Sequence, residues 1–139
     1  MKHKQFGKKY IIKLEKGEEI AECLKNFCRE NRIFLGTLYG IGAANRVKIG
    51  LFKTGNKEYI SKDYEGDFEI ISLLGNISTM NGEIYLHAHI NISDEKNRCF
   101  GGHLNSATIS ATFEGIVEKI EGTMEREFEE NIGLNLYKL

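Results

Sequence analysis

The chain has 139 residues, of which 41% are hydrophobic, and this is enough for a single domain with its own core over residues 1–139. Lysine and arginine number 19 against 20 aspartates and glutamates, so the totals lack the basic excess of a free-standing DNA-binding domain. No apolar run approaches the roughly 20 residues of a membrane-spanning helix, and the polar start does not resemble a signal peptide. We therefore expect a cytoplasmic protein with no membrane partner.

The three cysteines fit the same compartment, because their number is odd and no Cys-x-x-Cys pair occurs. Cys23 and Cys28 fall within one predicted helix, where we expect reduced side chains that pack. The chain has no proline, so its turns depend on 15 glycines and on asparagine and aspartate.

The first part of the chain predicts a tail, a strand and a helix. We interpret the lysines at positions 2, 4, 8, 9 and 13 as a solvated tail leading into an edge strand over residues 9–15. A helix begins at Gly17–Glu19, whose two acids suit a helix N-terminus, and it ends near Asn31. Its apolar stripe consists of Ile20, Leu24, Phe27 and Cys28.

From residue 33 onward, strand patterns alternate with turn residues. Asn81–Gly82 is the strongest hairpin signal, and Gly55–Asn56 and the polar stretch 93–97 are further turns. Between them we predict strands over residues 33–43, 47–53, 58–62, 67–79, 83–91, 98–103, 107–120 and 124–129. The fold class is therefore α+β, a mostly antiparallel β-sheet with one main N-terminal helix.

A glycine-rich segment, Gly40-Ile41-Gly42-Ala43, lies in the first of these strands. It lacks the Gly-x-Gly-x-x-Gly spacing of a dinucleotide-binding loop, and no helix follows it. We expect these glycines to permit a bend or a close approach of the backbone.

Three of the four histidines lie between positions 87 and 103, in His87-Ala88-His89 and Gly101-Gly102-His103. Strand alternation places His87 and His89 on one face, with Tyr85 and Asn91, and leaves the apolar residues on the other. Histidine is the commonest metal-binding side chain, and three imidazoles leave one zinc position open for water or a ligand.

The pairing of the two histidine strands can be predicted from the turn. If residues 93–97 form the loop, Ile92 lies opposite Arg98, His87 faces His103 and His89 faces Gly101. A slip of one residue would move His103 to the other face, and a bulge at Gly101 and Gly102 would re-aim it.

The histidine cluster has alternative interpretations. It holds a metal or ligand, with zinc first and nickel, copper or iron as alternatives, or it is a set of ordinary hydrogen-bonding side chains. We expect Cys99 to be a strand residue rather than a fourth ligand. Glu114 is either an outer partner or general base of the site, or a surface carboxylate.

Taken in order, several motifs resemble those of the PPC (plants and prokaryotes conserved) domain, a family described as candidate DNA-binding proteins. The resemblance spans roughly residues 7–137. Its most specific part is the histidine block, and the motifs are Gly40-Ile41-Gly42-Ala43 with Val47 and Gly50, Leu86-His87-Ala88-His89, Phe100-Gly101-Gly102-His103-Leu104, and Arg126-Glu127-Phe128 with Gly133-Leu134.

The resemblance implies a largely antiparallel domain that assembles as a homotrimer, with the site near a subunit boundary. It also implies that His87, His89 and His103 match the histidine motif that the prokaryotic members associate with metal binding. Plant members carry AT-hooks that contact DNA, and this chain has no Arg-Gly-Arg-Pro-like segment.

Three functions follow as hypotheses. The leading one is a trimeric domain that binds zinc or a small ligand through His87, His89 and His103. The alternative is a transcription-associated protein whose partners are DNA or other regulatory proteins, and a further alternative is a zinc-dependent hydrolase with Glu114 as base.

Overall fold

The computed structural model describes all residues, 1–139, as eight strands and one helix. In chain order the elements are β1 (Lys2–Phe6), β2 (Lys9–Glu15), α1 (Ile20–Glu30), β3 (Gly36–Lys53), β4 (Glu58–Met80), β5 (Glu83–Ser93), β6 (Cys99–Lys119), β7 (Arg126–Glu129) and β8 (Leu134–Tyr137).

Six of the strands form one sheet in the order β1-β2-β6-β3-β4-β5, and every pairing within it is antiparallel. Strand β5 also pairs with the start of β6, so β3, β4, β5 and β6 close into a ring. Strands β7 and β8 make a separate hairpin, joined to the end of β4 by a bridge between Thr79 and Glu125. The predicted fold class, a mostly antiparallel sheet with one helix, is confirmed.

Helix α1 has the predicted position and the predicted buried stripe. The Glu19 carboxylate caps it by accepting the backbone N–H groups of Ala21 and Glu22 at 3.0 and 2.7 Å. The helix ends at Asn31, whose N–H donates to the Phe27 carbonyl at 3.0 Å. Its buried residues are Ile20, Leu24, Phe27 and Cys28.

The strands are longer than the sequence patterns predict. Residues 33–43 and 47–53 belong largely to one strand, β3, and the segments predicted on either side of Gly66 both belong to β4. Irregularities at Gly40–Gly42 and Ala44–Arg46 absorb the break in alternation that suggested separate strands. The solvated tail predicted before residue 9 is instead an edge strand, because Lys2–Phe6 pairs with β2.

The glycine-rich segment of β3 serves close packing, as predicted. A side chain at Gly42 would overlap the Thr112 carbonyl oxygen and would lie 2.7 Å from the Phe113 Cα on β6. Only glycine therefore allows β3 and β6 to pair at this point.

A single cluster of 24 buried apolar residues fills the space between the curved sheet and α1. Cys28 lies in this core, and burial raises the pKa of its thiol to about 12, as expected for a reduced packing residue. The one helix is neither long nor apolar enough to cross a membrane.

Candidate metal centre

Three imidazoles meet where β5 and β6 pair. His87 and His89 lie on the same face of β5, and His89 lies directly opposite His103 on β6. The ring centroids are 5.3 Å apart for His87 and His89, 5.3 Å for His87 and His103, and 5.7 Å for His89 and His103. The fourth histidine, His3, lies on β1.

The predicted pairing of these strands is wrong by two residues. Ser93 pairs with Cys99 and His89 with His103, whereas we predicted that His87 would face His103 and His89 would face Gly101. The shift is even, so the alternation of side chains is preserved and the three histidines still share a face. The register from Cys99 to His103 is continuous, so the bulge considered at Gly101 and Gly102 does not occur.

The loop between the strands explains the shift. The Asp94 carboxylate accepts the backbone N–H groups of Lys96 and Arg98 at 2.9 and 3.0 Å and pairs with the Arg98 guanidinium at 2.6 Å. This side-chain turn moves the loop from residues 93–97 to 94–98, so β5 runs to Ser93 and β6 begins at Cys99.

The donor set fits a transition metal. One ring nitrogen from each histidine lies within 4.8 Å of the other two. Nitrogens bound to one zinc ion at about 2.1 Å stand roughly 3.4 Å apart in tetrahedral geometry, so small ring movements would close this set. The hydrogen bonds around the cluster, made by Tyr59, Arg126 and Asn135, do not use the imidazole nitrogens.

Burial keeps two of the rings in the neutral form that binds metals. The pKa of His87 falls to about 4, mainly because the ring is removed from water and then because of the positive charges of His103, Arg126 and His89, in that order. Burial followed by the charge of His89 also lowers the pKa of His103. Both rings therefore offer a lone pair at neutral pH.

The histidines line a cavity of about 510 Å³ between the closed part of the sheet and the C-terminal hairpin. Its remaining walls come from β3, β4, β5, β6 and the hairpin, namely Gly50, Leu51, Phe52, Tyr59, Tyr85, Gly102, Arg126, Leu134, Asn135 and Leu136. No carboxylate is among them.

Tyr59 crosses β3 to reach this cavity, and the sequence patterns do not predict its role. Its hydroxyl donates to Asn105 Oδ1 at 2.7 Å, and its ring stands edge-on to His103 with 6.1 Å between centroids. The crossing requires glycine at position 50, because a side chain there would overlap the Tyr59 hydroxyl.

Arg126 is the second residue that the sequence patterns leave without a role, apart from its place in a family motif. Its side chain is only 6% exposed, and its Nε donates to the Ser78 hydroxyl at 2.8 Å. Its two terminal nitrogens donate to the Asn135 carbonyl and to Asn76 Oδ1, each at 2.8 Å. Since Asn76 pairs with His87 across β4 and β5, Arg126 is held beside the histidine cluster.

Glu114 does not belong to the site: of its two interpretations, the surface carboxylate agrees with the structure, and the outer partner or general base does not. Because β6 is one continuous strand, Glu114 lies eleven residues beyond His103, a path of at most roughly 36 Å along the strand at about 3.3 Å per residue. It lines a groove beside Ile41 on the outer face of the sheet. Cys99 is an exposed residue at the start of β6 and is not part of the histidine cluster, as expected.

A family model described as the Plants and Prokaryotes Conserved domain matches residues 1–121. The chain belongs to this family. The PPC resemblance noted in the motifs is therefore confirmed, and the matched part contains all three histidines. A comparison with curated protein sequences found no match.

Several solved structures are similar to this chain. A candidate DNA-binding protein from Bacteroides thetaiotaomicron is 35% identical with a TM-score of 0.96, over 99% of this chain and 96% of that one. A PPC protein from Pyrococcus horikoshii is 34% identical with a TM-score of 0.87, over 96% and 92% of the two chains. A metal-containing protein from Archaeoglobus fulgidus is 29% identical with a TM-score of 0.87, over 96% and 94%.

Proposed function

We propose that this PPC domain binds one zinc ion through His87, His89 and His103. The observation that carries the proposal is the approach of three imidazole nitrogens to within 4.8 Å of one another on the wall of a cavity. The depressed pKa values of His87 and His103 support it, because a neutral ring needs no proton removed before it binds a metal. The metal-containing relative from Archaeoglobus fulgidus supports it as well.

Zinc is the preferred ion because three nitrogen donors with one open position suit its tetrahedral chemistry, although nickel, copper and iron also accept imidazole. When bound, zinc would supply a Lewis-acidic position for water or a small ligand. The surrounding residues favour ligand binding over hydrolysis. The cavity has no carboxylate to serve as general base, and Glu114 lies on another surface.

Elemental analysis of the untagged protein tests the proposal. We expect about one zinc per chain in the wild type and in His3→Ala, which removes the histidine outside the cluster. The double variant His87→Ala/His103→Ala should lose the metal while keeping the wild-type circular dichroism spectrum. Equal, near-zero metal in the wild type and the double variant, even after incubation with zinc, would refute the zinc site.

We further propose that three copies of this domain, each formed by residues 1–139, assemble as a homotrimer. The support is an apolar groove of about 500 Å³ on the outer face of the sheet, in which Ile41 is 62% exposed and Leu74 is 61% exposed. Ile11 and Tyr39 extend this surface, and a contiguous apolar patch of this kind is typical of a protein interface.

Analytical ultracentrifugation tests the assembly. We expect a trimer for the wild type and for Ile132→Asp, which changes an exposed apolar residue outside the groove. The variant Ile41→Asp/Leu74→Asp should be monomeric and folded, because two buried charges at each interface cannot be paired. A wild-type protein that stays monomeric at 100 µM (about the highest practical concentration) would refute the proposal.

DNA binding is the second candidate, favoured by the Bacteroides thetaiotaomicron relative. Among the five N-terminal lysines, only Lys4 and Lys13 make no ion pair with a carboxylate. Lys2 lies 2.6 Å from Glu15, and Lys9 lies 3.6 Å from Glu118. Anisotropy titrations of labelled duplex DNA at several salt concentrations test it. Tight binding that falls steeply with salt, and that is lost in Lys4→Ala/Lys13→Ala, would place DNA binding ahead of a ligand-binding role.

A further inference from the structure

Arg126 is a buried charge without a countercharge. It is the one charged residue among the buried side chains of this protein. Two other arginines pair with carboxylates, Arg29 with Glu83 and Arg98 with Asp94, whereas the three acceptors of Arg126 are all neutral. Burying a charge without a countercharge costs free energy, and Arg126 is the one buried charge that no carboxylate of the protein neutralises.

The protein holds this charge in place. The guanidinium carbon lies 4.3 Å from the centre of the Tyr137 ring and 4.9 Å from that of Tyr85. Its three hydrogen bonds use three of the five N–H groups of an arginine side chain. One N–H group remains on each terminal nitrogen, and both can donate to an oxyanion.

The unmet charge borders the same cavity as the histidines. Tyr85 and Asn135 add a hydroxyl and an amide beside Arg126, linked to each other at 3.4 Å. The apolar part of the lining consists of Leu51, Phe52, Leu134 and Leu136. A cavity of this size, with a buried positive charge and apolar side chains in its lining, suits a small amphipathic molecule.

We propose that the ligand of this cavity is a small organic carboxylate, whose charged group binds Arg126 and whose apolar body lies against the leucine and phenylalanine walls. A carboxylate fits better than phosphate because one guanidinium with two free N–H groups matches a monoanion, and no lysine lines the cavity. The pairing with Arg126 does not require the metal. Only the placement of the ligand beside the histidines rests on the proposed zinc site.

The test titrates the full-length protein, zinc-loaded and zinc-free, with benzoate, with the uncharged benzamide and with inorganic phosphate. In ¹⁵N-labelled wild type we expect benzoate to shift the Arg126 Nε–H resonance, and to bind at least about tenfold more tightly than benzamide. This comparison needs no variant, so it holds even if position 126 tolerates no change.

Variants locate the charge. Arg126→Met should weaken benzoate binding by at least about tenfold, so that the ratio of the Kd values for benzamide and benzoate falls to about one. Arg126→Lys should keep part of that preference. Lys138→Met is the matched control, because it removes an exposed positive charge at the end of the same hairpin, and it should bind benzoate like the wild type.

The outcomes separate this inference from the zinc site. Arg126-dependent binding of benzoate by zinc-free protein would support it even if the wild type held no metal. Stoichiometric zinc without benzoate binding, or benzoate binding that Arg126→Met leaves unchanged, would overturn it and leave the metal site intact. Tighter binding of phosphate than of benzoate would overturn the carboxylate assignment.

Discussion

The neutral state of His87 makes the stability of the metal-free protein depend on pH. Its pKa falls from 6.5 in the unfolded chain to about 4 in the folded one, chiefly through burial. The unfolded state therefore binds more protons between pH 4 and 6.5, and stability is lost as the pH falls through this window. About one pH unit above 6.5, the contribution of His87 becomes independent of pH.

The size of the effect follows from the two pKa values. Linkage gives a loss of about 2 kcal/mol between pH 7.5 and pH 5.0 for a fully shielded group. The ring is part exposed, so solvent screening reduces the expected loss to about 1 kcal/mol. Protonation of carboxylates elsewhere also destabilises the protein in acid, so the effect of His87 must be measured as a difference between variants.

Urea denaturation of the chelator-treated protein at pH 7.5 and 5.0 measures this difference. Wild type and His3→Gln should each lose about 1 kcal/mol more between the two pH values than His87→Gln, which has no ring to protonate at the cluster. If His87→Gln loses as much stability as the wild type over this interval, the reasoning about burial of the ring is refuted.

Three further predictions concern the supports of the site. Gly50→Ala should displace the Tyr59 side chain from β3, which lowers the free energy of unfolding by about 1–3 kcal/mol and weakens zinc binding in a competition titration. If both the stability and the zinc affinity are unchanged, Tyr59 does not need glycine at position 50. Asp94→Ala should cost about 1–2 kcal/mol in urea denaturation, because two loop N–H groups lose their acceptor; a variant as stable as the wild type would refute the role of this turn. Glu19→Ala should cost about 1–2 kcal/mol, since its carboxylate caps α1 and also accepts the Ala107 N–H at 2.9 Å, and an unchanged denaturation midpoint would contradict it.

The sequence patterns correctly predicted the features that depend on residues close together in the chain. The stripe of α1 needs only helical periodicity, and the shared face of His87 and His89 needs only strand alternation. The exact pairing with His103 required more, because the position of the loop depends on a side-chain turn at Asp94 that the pattern of polar residues does not reveal. The register was wrong by two residues, an even number, so the three histidines still lie on one face of the sheet.

Continuity of the long strands was not predictable from alternation alone. Bulges interrupt the period of two within β3 and suggest a strand end where the chain continues. The same continuity decides between the two interpretations of Glu114. A short strand ending after His103 would let a following strand fold back beside the site, whereas the 21-residue β6 carries Glu114 to the far end of the sheet.

Tyr59 and Arg126 are far from the histidines in sequence and come close to them only in the folded protein. The residues of the site also come from two parts of the chain. The three histidines lie within the part of the chain that the family model matches, residues 1–121, and pair across adjacent strands. Arg126 and the apolar walls Leu134 and Leu136 come from the hairpin beyond residue 121. Under the proposed function, the sheet would hold the zinc ion, and the hairpin would supply Arg126 and part of the apolar lining that contacts the ligand. Changes in the hairpin should therefore alter ligand preference while leaving zinc binding intact.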